Sequence, residues 1–350
     1  MDKTTTVFGN KRPYKPSRID RYNSWVEKQP ARPWMYYILF GVVLVGIQLL
    51  FLWLESDSPE TQLALIILFN GLFTPFLLAL IHFLDNQAVT ALKTMRPVLD
   101  TSESEFDQYE YALANMPALP SLGVGLAMLV LVILMEVLWV VPGRYSPLAQ
   151  LPVFTVIFQV VDKSSAFLFG VFIYHTIRQL RLVNAIHAHQ IRINLLNLAP
   201  SRAFSRLTAA TAVGLVIGVY GWMLINPDLL ADPMILGLVA IVTILAASVF
   251  VWPLYGVHRS IEVAKEKALQ EIDLRFQTVF KKFNQLFQED DFPAIDRLNG
   301  TITSLEIQHR RIKAIPTWPW NPETAQIVVS AIAVPLILAI IRVLIEQVIG

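Results

Sequence analysis

Seven apolar runs constrain the fold of this chain more than any other feature of its sequence. Each run is close to the ~20 residues that an α-helix needs to cross a bilayer. Inside lipid, a single segment satisfies its own backbone hydrogen bonds by forming a helix. Hydrophobic residues make up 55% of the chain and charged residues 16%, with a mean hydropathy of +0.52. The prediction is an all-α, seven-transmembrane-helix membrane protein. The runs span residues 34–54, 62–84, 121–141, 153–177, 207–225, 234–255 and 324–349.

The distribution of basic residues predicts how the seven spans are oriented. Of the 28 Lys and Arg residues, 25 fall in four segments that lie on one side of the membrane if there are seven spans. Cytoplasmic loops carry an excess of Lys and Arg. We therefore predict a multi-pass protein of the inner or plasma membrane with its N-terminus in the cytoplasm and its C-terminus outside.

The polar segments divide the chain into regions. Residues 1–33 form a basic, mostly irregular cytoplasmic tail with eight Lys and Arg, which is either a topology signal or a segment that contacts an anionic membrane surface. Residues 34–257 form a six-span membrane bundle with a cytoplasmic extension at 178–206, in which the fourth span continues as a helix to Leu198. Residues 258–323 carry two apolar stripes at helical spacing, which predict a cytoplasmic helical hairpin, and residues 324–350 form the seventh span.

A proline- and tryptophan-rich elbow joins the hairpin to the seventh span at residues 315–322. Prolines in close succession exclude a helix and stiffen the backbone. One interpretation is a simple stop between hairpin and span, and the other is a rigid lever that transmits motion of the hairpin. The predicted coupling residues are Pro316, Trp318, Pro319 and Trp320.

One face of the seventh span is mildly polar at its inner end and apolar further along. A face of this kind either packs into the bundle or lines a pore that an apolar constriction gates by dewetting. The predicted pore-lining residues are Gln326, Ser330, Val334, Ile337 and Ile341.

Charged residues inside two other spans provide a second candidate site. Charges at membrane depth are costly and are by default functional candidates. The group is either a buried ion pair that fixes helix register or the floor of an outward-facing ligand pocket. Its members are Glu136, Asp162 and Lys163, with Gln159, Ser164 and Asn70 at similar depth.

Several classes of function have no support in the sequence. The absence of cysteine excludes disulfides and thiolate chemistry, and the net charge of +1 provides no electrostatic basis for binding nucleic acid. We find no motif of a P-loop, a zinc protease, a serine hydrolase or a potassium filter. We therefore expect no enzyme activity, no cofactor and no metal site.

Two short motifs and the overall plan resemble known membrane proteins. Residues 253–258 (PLYGVH) and 314–320 (AIPTWPW) resemble segments of uncharacterised multi-pass proteins of bacteria and archaea. The plan of the whole chain resembles insect odorant and gustatory receptors, which implies seven spans, a cytoplasmic anchor of prolonged helices and a tetrameric cation pore lined by the last helix. The C-terminal Thr-Tyr signature of those receptors is absent from residues 331–350.

These features together predict a ligand-modulated, homo-oligomeric ion channel, with a tetramer preferred and a small molecule as its ligand. Two alternatives remain open. One is a non-conducting sensor or scaffold that signals through its cytoplasmic bundle. The other is a transporter of small solutes with Asp162 and Lys163 as its coupling site.

Overall fold

The computed structural model describes residues 13–56, 61–138, 151–190, 193–225, 233–289 and 292–349, and this part of the chain is helical, with no strand. Two single-turn 3₁₀ helices, Arg96–Val98 and Pro200–Arg202, supplement the α-helices. The α-helices are α1 (Arg18–Glu27), α2 (Pro33–Glu55), α3 (Thr61–Met95), α4 (Glu103–Ala114), α5 (Ala118–Leu138), α6 (Pro152–Gln190), α7 (Ser205–Ile225), α8 (Pro233–Gln288), α9 (Phe292–Lys313) and α10 (Pro322–Ile349).

Five helices are long and apolar enough to cross a membrane: α2, α3, α5, α6 and α8. The remaining two predicted spans fall on α7 and α10, whose described apolar stretches, Ser205–Gly221 and Pro322–Val334, are shorter. The all-helical prediction is confirmed for the described residues, and the architecture is that of a multi-pass membrane protein.

Helices α3 and α6 form the centre of the bundle. Helix α3 packs against α2, α6 and α7, whereas α6 also contacts α5 and α8. Leu77, Ile81 and Leu84 of α3 and Phe172 of α6 lie fully buried in one continuous apolar core. Glycine allows close approach between α5 and α6, because a Cβ at Gly170 would lie 2.5 Å from the Met128 side chain.

The predicted hairpin is formed by the second half of α8 and by α9. Helix α8 continues without a break through Pro253 for 56 residues, or ~84 Å at the helical rise. The two helices are antiparallel, since Lys265 bonds the carbonyl of Lys313 while Asp273 lies 3.8 Å from His309, four residues earlier in α9.

The structure adds a helix to the tail, which was predicted to be mostly irregular, and ends the extension of α6 earlier than predicted. Residues 18–27 of the tail form a helix, because the Ser17 hydroxyl accepts the Asp20 amide and the Asp20 carboxylate accepts the Ser17 amide, which makes a capping box. The extension of α6 does not continue as a helix to residue 198. Asn194 competes with helical hydrogen bonding there, since its side-chain oxygen accepts the Leu196 amide in a local turn.

Candidate functional site

The elbow between α9 and α10 is fastened to α8 by a stack of four aromatic rings. Trp318 lies parallel to His258 with ring centroids 4.0 Å apart, and its other neighbour is Trp320 at 4.4 Å. Trp320 in turn stacks on Phe250 at 4.6 Å. The ring stack of Phe250, Trp320, Trp318 and His258 therefore joins the elbow to two separate turns of α8.

A lysine fastens the start of the elbow. The Lys265 ammonium donates to the carbonyl of Lys313, the last residue of α9, at 2.7 Å and to that of Ile315, the first residue of the elbow, at 2.8 Å. The last carbonyls of a helix have no partner within it. From Phe250 to Lys265 the attachment covers ~22 Å of α8 at the helical rise. Pro319 is buried and Pro316 is exposed, and the elbow contacts α8 through Trp318 and Trp320.

Helix α10 packs through one face and leaves the opposite face uncovered. Val328 is buried in a cluster that includes Ala209 and Ala212 of α7 and Phe250 of α8. The predicted pore-lining residues lie on the other side of α10. Gln326, Ser330, Val334 and Ile337 are all exposed there, and the side chain of Ile341 falls outside the described set. The structure thus brings four of the five onto one open face.

The predicted charge cluster forms an ion triad between α5 and α6. Lys163 of α6 contacts the Glu136 carboxylate of α5, and its ammonium lies 2.8 Å from the Asp162 carboxylate. All three side chains are about a fifth to a third exposed. The ion pair between Lys163 and Glu136 links α6 to α5, and the second carboxylate leaves the triad with a formal net charge of −1.

The polar residues predicted beside the triad lie apart from it. Asn70 is buried on the α3 side of α6, where its amide donates to Gln48 at 3.1 Å and to the carbonyl of Phe158 at 3.2 Å. Ser164 is exposed and donates to Val160 of its own helix. Gln159 is half-buried. The structure therefore forms the predicted ion pair but does not gather the six residues around one pocket.

Sequence reasoning missed a cluster of buried titratable residues on α3. Asp85 and His175 of α6 share a hydrogen bond in which Oδ1 of Asp85 lies 2.7 Å from Nε2 of His175, and both side chains are buried. One turn earlier, His82 lies 2.9 Å from the Tyr37 hydroxyl and 2.8 Å from the Glu27 carboxylate. A histidine and a carboxylate three residues apart at the end of an apolar run was the available signal, because that spacing places both on one helix face.

The buried carboxylate–imidazole pair of Asp85 and His175 can hold or exchange a proton. The second ring nitrogen of His175, Nδ1, is buried without a hydrogen-bond partner among the described residues. In the described part of the chain no group of three or more His, Asp or Glu side chains has an arrangement suited to a metal ion.

No protein-family model matches the sequence, and comparisons with curated proteins and with solved structures also find no match.

Proposed function

We propose that the protein is a ligand-modulated, homo-oligomeric ion channel, with four subunits preferred. In this proposal α7 and α10 complete seven spans, the N-terminus is cytoplasmic and α10 lines a pore on the symmetry axis. The observation that carries the proposal is the open face of α10 opposite the packed residue Val328.

The order of residues on the open face suits a gated pore. Gln326 and Ser330 provide polar side chains near the elbow, and Val334 and Ile337 follow. The four extend over ~16 Å of helix. An apolar ring contributed by several subunits closes a pore by excluding water, and a small outward movement of the helices rehydrates it.

The elbow supplies the connection between gate and hairpin. Because the ring stack and Lys265 fasten it to α8, a rotation of the α8–α9 hairpin displaces the first turn of α10. The hairpin also exposes large apolar side chains, Leu274, Phe280 and Phe287, which provide contact surface for neighbouring subunits.

Thiol modification of single cysteines tests the pore assignment, since the native chain has none. We expect Ser330→Cys and Val334→Cys channels in planar bilayers to lose current with a charged methanethiosulfonate reagent. Val328→Cys is the matched control, because that position on the same helix is buried at 1% exposure. Absence of conductance, equal insensitivity at all three positions, or a monomer in single-particle averages would overturn the proposal.

A second candidate, proton-coupled transport, is favoured by the Asp85–His175 pair. Ionisable groups buried between spans mark proton relays in many transporters, and this pair is more deeply buried than the triad of Lys163. The test is proton flux into proteoliposomes under a valinomycin-set potential, read with a trapped pH dye. The second candidate requires Asp85→Asn to abolish the flux and the exposed α4 substitution Asp107→Asn to preserve it, and equal flux in both variants would exclude it.

A further inference from the structure

Helix α1 is docked rigidly on the bundle through one face. The Asp20 carboxylate accepts the amide of Met116 at 2.8 Å, and the Asn23 side-chain oxygen accepts the Tyr37 hydroxyl at 2.9 Å. At the end of the helix the Glu27 carboxylate pairs with His82. These contacts reach three different parts of the chain, so the rotation of α1 about its axis is set by the fold.

The position of α1 along the bundle is also set. Trp25 packs edge-on against Tyr36, with centroids 6.4 Å apart, and Tyr36 lies in the first turn of α2. Helix α2 begins at Pro33 and is apolar enough to cross a membrane from there. Helix α1 therefore lies level with the end of a span, which is the depth of lipid headgroups.

The face of α1 that points away from the bundle is basic and aromatic. Arg18, Arg21, Trp25 and Lys28 follow one another at spacings of three and four, and all four are exposed, Trp25 to 52%. Among the described residues none of the three basic side chains has an ion-pair partner. Trp34, 55% exposed, extends the aromatic part of this surface onto α2.

We propose that this face binds the phosphate groups of anionic lipids in the leaflet at which α2 begins. Arginine recognises phosphate with paired N–H donors, and tryptophan is favoured at the headgroup level because its ring is apolar with a polar edge. The docked buried face makes the site preorganised, since α1 is already folded and oriented before a lipid arrives. A plain topology signal requires positive charge but no fixed helix face.

The experiment measures lipid selectivity on the full-length protein in vesicles of phosphatidylcholine with one-fifth phosphatidylglycerol. Spin-labelled phosphatidylglycerol and phosphatidylcholine report, by electron spin resonance, the relative association constant at the protein surface. We expect the wild type to prefer the anionic lipid and the Arg18→Gln/Arg21→Gln/Lys28→Gln variant to lose roughly threefold of that preference. High salt is expected to weaken the preference of the wild type for the same reason.

The matched control removes the same charge from the exposed surface of α8 with Lys267→Gln/Lys281→Gln/Lys282→Gln. The proposal requires this variant to keep the wild-type preference and both variants to keep the wild-type melting temperature. The proposal is overturned if the α1 variant retains the full preference for the anionic lipid, and the basic face is then assigned to a protein partner. It is also overturned if both variants lose the preference equally, because net charge then accounts for the lipid preference.

Discussion

Replacing Trp318 with alanine is expected to loosen the elbow from α8. Trp318 occupies the middle of the ring stack, with His258 at 4.0 Å on one side and Trp320 at 4.4 Å on the other. An aromatic pair contributes ~0.5–1.5 kcal/mol beyond the area that it buries. Only the Trp318–His258 pair joins Trp318 to α8, so its loss costs ~0.5–1.5 kcal/mol of elbow docking, which is a factor of about 2–12 in the docking equilibrium.

Lys265 and the stack of Trp320 on Phe250 make the remaining attachments. The two hydrogen bonds of Lys265 to the carbonyls of Lys313 and Ile315 are charge-assisted, and such bonds contribute ~1.5–3 kcal/mol each at most sites. We expect Trp318→Ala alone to widen the distribution of elbow positions while docking survives. The Trp318→Ala/Lys265→Met double variant keeps only the stack of Trp320 on Phe250 and is expected to loosen the elbow further.

Double electron–electron resonance measures this loosening directly. Spin labels on cysteines at Gln308 of α9 and Glu323 of α10, both exposed, report the distance across the elbow. The distribution should be narrow in the otherwise native chain, broader in Trp318→Ala and broadest in the double variant. Trp25→Ala is the control for loss of a tryptophan elsewhere. Equal widths in all four proteins would refute both the stacking energy and the lever.

Three further predictions concern packing, capping and pH. Gly170→Ala places a Cβ 2.5 Å from the Met128 side chain, so we expect ~1–3 kcal/mol of overpacking and a lower melting temperature than Gly123→Ala, where a Cβ meets nothing within 4 Å. Glu55→Ala removes the carboxylate that accepts two amides of the first turn of α6 and is expected to cost ~1 kcal/mol in chemical unfolding. Burial raises the pKa of Tyr14 to about 12, so as the pH rises the unfolded chain loses the Tyr14 proton before the folded protein does. The melting temperature should therefore fall between pH ~10 and ~12, and it should fall less steeply in the Tyr14→Phe variant.

The positions of the apolar helices were predictable because hydrophobic length is a local property. Each predicted run lies on a helix, although residues 139–141 of the third run fall outside the described part. The elbow was predictable for the same reason, since proline excludes a helix wherever it stands in close succession. The capping box of α1 was also predictable from a short window, since it involves only Ser17 and Asp20. It went unrecognised because the basic composition of the tail favoured irregular structure.

The candidate sites were predictable only in part. Lys163 and Asp162 are neighbours in sequence, and the carboxylate of Glu136 on another span was the natural partner for Lys163. Asn70 was grouped with them by depth alone, and depth does not specify on which side of α6 a residue lies. The cluster of His82 and Asp85 was missed because the predicted span ended at residue 84, whereas α3 continues to Met95.

The sequence by itself determined that this chain is a helical membrane protein with a polar hairpin and a proline- and tryptophan-rich elbow before its last helix. Each of these properties follows from the composition of a short window. Only the tertiary structure decided which polar groups meet. His82 reaches Glu27 across 55 residues and His175 reaches Asp85 across 90, because packing α3 against α1 and α6 brings them together. The tertiary structure also decided the rotation of α1 and of α10 about their own axes. Each helix buries the face that packs against its neighbours and leaves the opposite face exposed.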